Sequence, residues 1–268
     1  MMSTVGTVRD RRHDAPSDQL TPRTEPSSGW PVNRVIVVAL SVALVTALAA
    51  AFVLRGRNQL VGQQGSVAGR DLPATISHSL AYTMGLSKLP GRPAPSFTLV
   101  DQHGRSMSTA DLKGHPVVLE FIDPHCTDIC PIMSQELITA YHALGSAASK
   151  VIFLAVNVNP WHTDVASMAT YSDAHGLKTL PTWHFLTGPP SRLRAVWQSY
   201  HVSVSAPDPA TDVVHTSVVY FIDPHGRERY VAFPTADHSS SGEAFLPATA
   251  TAAWGKGLAL VATSLRSK

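Results

Sequence analysis

Two apolar runs of strand length around a helical pattern, followed by a hairpin signal and a closing helix, predict an α/β domain. PVVLEFI (116–122) and VIFLAVNV (151–158) are continuous apolar runs, as strands buried on both faces require. Between them Ile132, Met133, Leu137, Ile138, Tyr141 and Leu144 recur at helical spacing. Such a strand, helix, strand unit crosses over right-handed and makes its two strands parallel. Further on, VVHTSVVYFIDPHGRERYVAF sets Asp, Pro and Gly where a type I turn takes them, which predicts an antiparallel hairpin. The order βαβ followed by ββα is that of a thioredoxin-like domain.

The other elements fit around this core. FTLVDQHGRSMS reads as an added N-terminal hairpin with HG near its turn. A second helix is expected to start near Thr163, capped by it with Asp164 in the first turn, and to stop at Gly176. A short helix follows around Arg192 to Tyr200. Strand 213–222 is expected beside 116–122, running the other way. An alanine-rich helix to about Leu265 closes the chain.

Upstream, residues 1–34 are polar and rich in Pro, Ser and Thr, a composition that buries too little apolar surface to fold, and they read as a disordered tail. Residues 35–54 carry no charge and match a hydrocarbon core of roughly 30 Å at about 1.5 Å per residue, so they read as one transmembrane helix. Arg23 and Arg34 before this span against Arg55, Arg57 and Arg70 after it do not set its orientation. Residues 55–91 read as a linker and 92–268 as the folded domain. Net charge is +2 with basic residues scattered, which excludes a nucleic-acid binder.

The chemistry is carried by FIDPHCTDIC. Cys126 and Cys130 are the only two cysteines, so no disulfide framework staples distant parts of the chain. Cys130 directly precedes Pro131, a residue favoured at the first helical position, so Cys130 is expected at a helix N-terminus, where free amides and the dipole lower a thiol pKa. Dithiol oxidoreductases of this architecture typically use C-x-x-C, with a cis-proline opening the neighbouring strand; here the spacing is C-x-x-x-C and His215 stands where that strand begins. Two thiolates and an imidazole suit copper, or on ligand type alone zinc. With 13 histidines in the chain, position alone leaves His215 equally open to a structural role. His125 reads as loop, because adjacent residues rarely both point at one ion. The histidines at 162, 175, 184, 201, 225 and 238 read as turn or surface residues, and the FIDPH of 121–125 repeated at 221–225 as coincidence of strand-end chemistry.

CTDICP, VVHTSVVYFIDPHG, WHFLTG and the single N-terminal anchor together resemble the Sco/SenC family of copper-handling proteins associated with cytochrome c oxidase assembly. The resemblance spans most of residues 92–268. It implies that Cys126, Cys130 and His215 bind one copper ion. It also implies a membrane-tethered extracytoplasmic domain that passes copper to the CuA site of the oxidase subunit, or reduces the cysteines there. The chain departs from the family pattern at Thr127, where Pro is usual, at Val214, where Asp precedes the histidine, and at Asn159, where an acid is usual. The alternatives are a thiol-disulfide oxidoreductase in which Cys126 and Cys130 cycle between dithiol and disulfide, and a membrane-tethered copper or redox sensor.

Overall fold

The computed structural model describes residues 72–266. The tail at 1–34, the expected membrane span at 35–54 and residues 55–71 of the expected linker lie outside the described residues. Among the described residues, no helix is long and apolar enough to cross a membrane.

A six-stranded sheet organises the domain. Its members are β1 (Ser87–Lys88), β4 (Val117–Ile122), β5 (Ile152–Asn157), β6 (Trp183–Leu186), β9 (Val219–Ile222) and β10 (Glu228–Ala232), in the order β1-β10-β9-β4-β5-β6. β4 pairs in parallel with β5 from Val117↔Ile152 to Ile122↔Asn157, and β5 in parallel with β6. On the other side β9 runs antiparallel to β4, and β10 antiparallel to β9. β2 (Thr98–Val100) and β3 (Ser106–Ser108) form a separate antiparallel hairpin. Part of the stretch expected as linker is folded: α1 (His78–Thr83) is capped by the Ser77 side chain, and β1 pairs with Val231 and Tyr230 at the sheet edge.

β4 is buried along its whole length, and its side chains alternate between two cores. Val118 and Ile122 pack beneath α2 (Ile129–Leu144), α3 (Val165–Ala174) and α5 (Ala248–Leu265). Val117, Leu119 and Phe121 face the opposite way, toward α4 (Pro190–Ser199) and the β2-β3 hairpin. α5 sits close on α2 because Gly255 offers no side chain: a Cβ there would run into Thr139 and lie 2.9 Å from the Glu136 carbonyl oxygen.

Three expectations change. The helix read from Thr163 begins at Val165, with Asp164 as the cap, its Oδ1 accepting the Ser167 amide at 2.8 Å. Cys130 and Pro131 fall at the second and third helical positions of α2, since Asp128 is the cap. The strand read as 213–222 is two: β8 (Val214–His215) pairs with β7 (Val204–Ser205), and only β9 joins the sheet. Thr216 causes the break, its amide donating to the Ser203 carbonyl and its hydroxyl accepting the Ser203 amide, which turns the chain to the side ribbon before the sheet begins.

A pair of acids lies in the core. Glu120 shares the face of β4 that carries Val118 and Ile122, Glu136 is on α2, and both are buried. Both oxygens of Glu120 and Oε1 of Glu136 have no hydrogen-bond partner. Burial, with Glu136 adding to it, holds the Glu120 carboxyl well above the usual range, and burial pushes Glu136 up to about 8. A raised folded-state pKa contributes stability that is complete below the ordinary value of 4.5 and is lost as pH climbs to about 8, because the unfolded chain gives up its proton first. Glu136→Gln should therefore gain on wild type by about 1 kcal/mol or more between pH 5 and pH 8, read by denaturant unfolding at the two values; an unchanged difference would show that Glu136 ionises normally.

Candidate functional site

The site begins where β4 ends. Asp123 folds the strand's exit into a turn, its Oδ1 accepting the His125 amide at 2.9 Å and its carbonyl accepting the Cys126 amide at 3.1 Å. The second copy of the pentapeptide builds the same turn: Asp223 Oδ1 accepts the His225 amide at 2.9 Å and its carbonyl the Gly226 amide at 2.8 Å. There Gly226 takes a left-handed φ of 73°, and Arg227 returns to Asp223 to close the β9-β10 hairpin. Cysteine in the equivalent place does not make that step, and the first copy runs on into α2. The repetition is thus shared turn chemistry, with the residue after His deciding whether the chain reverses or continues.

The two sulfurs are unlike. Cys126 is half-buried, and its thiol is pulled down to about 7, first by the Cys130 thiol donating to it and further by the amides of Cys130 and Asp128. Burial and the Asp123 charge oppose this. Cys130 is fully buried and is held well above the usual thiol range by its bond to Cys126 and by burial. The expectation that the helix N-terminus lowers the Cys130 thiol is not met: its bond to Cys126 and burial on the inner face of α2 hold it high, and the lowered thiol is Cys126. Below Cys130, Ser134 Oγ donates to its carbonyl at 3.0 Å and lies 2.9 Å from the Tyr171 hydroxyl.

His215 comes to the same place from β8. Cys126, His215, Asp123, His125 and Asp212 are among the residues that wall one cavity of about 300 Å³. A carbonyl can only accept, so His215 Nδ1 donates to the Thr216 carbonyl at 3.1 Å, which leaves the lone pair of the neutral ring on Nε2. Burial lowers the pKa of this ring and keeps it neutral. Among the described residues, no three His, Cys, Asp or Glu side chains stand ready to hold a metal ion. Cys126 and His215 share the cavity wall, and Cys130 reaches the group through its bond to Cys126.

Asp123 was not singled out in the sequence and is central to the site. It is buried, and its charge acts on Cys126, Cys130 and His215 alike. Asn159 Nδ2 donates to Asp123 Oδ1 at 2.9 Å, so an acid at 159 would set two carboxylates against each other. The departure at Asn159 is therefore matched to Asp123. Val214 is 70% exposed and borders the cavity, to which Asp123 and Asp212 supply carboxylates. Two histidines read as surface also touch the site: His162 stacks on His125 with centroids 3.7 Å apart, and His238 Nε2 lies 2.9 Å from Asp128 Oδ1.

The family model described as SCO1/SenC matches residues 88–243, more than half of the chain. The chain belongs to the SCO1/SenC family. It is 34% identical over 137 residues to "Protein SCO2 homolog, mitochondrial" of Bos taurus, covering 48% of this chain and 50% of that protein. It is 26% identical over 133 residues to "SCO1 protein homolog" of Bacillus subtilis, covering 49% of this chain and 68% of that one. The chain spans about half the length of the mitochondrial relatives it matches. The crystal structure of Arabidopsis thaliana ScoI with copper bound is similar at TM-score 0.50 and 21% identity, covering 66% of this chain and 100% of that one, a likeness of fold. This SCO1/SenC domain is thus a mixed α/β fold of thioredoxin-like type.

Asp123→Asn keeps an oxygen for the His125 amide and removes the charge. Because that charge raises the Cys126 thiol, the variant should titrate below the wild-type value of about 7. Its carboxymethylation at pH 6 should be faster, by about threefold; a slower reaction would contradict the placement of Asp123.

Proposed function

We propose that this protein is a membrane-anchored copper carrier in which Cys126, Cys130 and His215 hold one ion for a partner site. One observation carries the reading: Cys126 and His215, far apart in the chain, wall a single cavity, with the free Cys130 thiol hydrogen-bonded to Cys126. The donor set fits. Two soft sulfurs and an imidazole suit copper, and the ring is already neutral with its Nδ1 proton committed to Thr216. Family membership and the copper-bound structure of the similar plant protein ScoI support the same cargo. The uncharged run at 35–54 supports a single-pass anchor, with the domain on the extracytoplasmic side, where the recipient is the cytochrome c oxidase subunit bearing the CuA site.

A second reading is favoured by the unequal sulfurs. In a thiol-disulfide reductant the Cys126 thiolate attacks a partner disulfide and forms a mixed disulfide. Cys130 then loses its proton and attacks the Cys126 sulfur, releasing the partner as a dithiol and leaving Cys126-Cys130 oxidised. The low thiol at Cys126 and the high one at Cys130 suit these two roles. Both readings serve the same partner, since a CuA site accepts copper only on reduced cysteines.

Copper content and affinity decide between them. The reduced full chain should bind one copper, and His215→Ala should weaken binding by more than about tenfold. Equal affinity in the two proteins would remove His215 from the ligand set, and disulfide reduction with no copper uptake would make the reductant reading the right one.

A further inference from the structure

Among the described residues, the exposed large apolar side chains are Tyr82, Trp161, Val214, Phe233 and Phe245. Singly such residues are ordinary on a protein surface, and only their placement together carries meaning. All five lie at the end of the sheet where β4 delivers Cys126. Trp161 is in the loop leaving β5, which runs parallel to β4, and its amide donates to Asn159 Oδ1 at 2.9 Å. Val214 precedes His215 in β8 and borders the cavity. Phe233 follows Ala232, the last residue of β10, and its amide donates to the Met84 carbonyl at 3.0 Å, which brings in Tyr82 at the end of α1. Phe245 belongs to β12 (Ala244–Phe245), paired with β11 (Asp237–His238) in a hairpin that reaches the start of α2 through His238 Nε2, 2.9 Å from Asp128 Oδ1.

The charges around these side chains have one sign. Asp123, Asp128 and Asp212 are the charged residues of the cavity wall, and Asp164 and Asp237 stand exposed beside Trp161 and Phe245. Lys113, Lys150 and Arg227 are exposed at the opposite end, just before β4, β5 and β10. From β10 to β5 the apolar set spans three strand spacings, roughly 14 Å, which fits within the roughly 800 Å² that one partner covers in a standard interface. We propose that this end of the domain is a docking face for a different protein, one that presents an apolar surface edged with lysine or arginine. A second copy of this chain would set like carboxylates against each other, and an anionic lipid surface would be repelled in the same way. Trp161, Phe233 and Phe245 supply the apolar contact on both sides of the cavity, and the carboxylates choose the partner by charge.

The inference rests on the reading that a partner meets the cavity, and is indifferent to what is exchanged there. It is tested on the reduced, metal-free full chain in zwitterionic nanodiscs. Two short peptide disulfides are the probes, alike in their tryptophan and leucine residues, one bearing lysines and the other glutamates. In each case the Cys126 sulfur forms a mixed disulfide with the probe and releases the probe's other half as a thiol. Neutral dithiodipyridine serves as the control for the sulfur's own reactivity. At low salt the lysine probe should react at least about tenfold faster than the glutamate probe, and high salt should close the gap. Trp161→Ala combined with Phe245→Ala should slow the lysine probe by about fivefold or more and leave the dithiodipyridine rate unchanged. Equal rates for the two peptides, or an unchanged lysine-probe rate in the double variant, would overturn the proposal. Copper affinity of this chain should be the same in the double variant as in wild type, so loss of copper binding in wild type itself counts against the carrier reading alone.

Discussion

The whole site depends on one buried carboxylate at the end of the central strand. Asp123 sets the turn that delivers Cys126, and its charge reaches both sulfurs and the His215 ring. It works against the α2 amides: they favour a thiolate at Cys126, and Asp123 disfavours it. A sulfur balanced near neutrality is available both as a ligand and as a leaving group. Asn159 keeps this balance by offering Asp123 a donor in place of a second negative charge.

Seen from Asp123, the departures from the family pattern form a consistent local set. Val214, largely exposed, borders the cavity without a charge, and its carboxylates are those of Asp123 and Asp212. Thr127 also borders the cavity; nothing in the structure explains its replacing the usual proline. Stacking of His125 on His162 occupies the imidazole next to Cys126, in keeping with its place in the loop.

Much of the fold was legible because burial on both faces leaves unbroken apolar runs, as in β4 and β5. The errors have physical causes. Val213 to Ile222 reads as one strand because hydropathy does not register the side-chain and main-chain bonds by which Thr216 diverts β8 into a side ribbon. Pro131 indicated a helix start correctly, but Asp128 takes the cap and moves both Cys130 and the proline two positions inward. Which sulfur the amides reach is a matter of direction, and spacing does not encode it. Asp123 was hidden in a dipeptide that reads as an ordinary turn, although its twin at Asp223 was a usable signal. His238 could not be told from twelve other histidines, since its partner lies 110 residues away.

The contact of α5 on α2 at Gly255 bears on how the pocket can respond to a guest. The helix carrying Cys130 is clamped against its neighbour where Gly255 has no side chain, with the Thr139 side chain and the Glu136 carbonyl at that seam. His215, in contrast, hangs from a two-residue ribbon outside the main sheet. Any closing movement is therefore one-sided, with an anvil of sulfur and a hammer of imidazole.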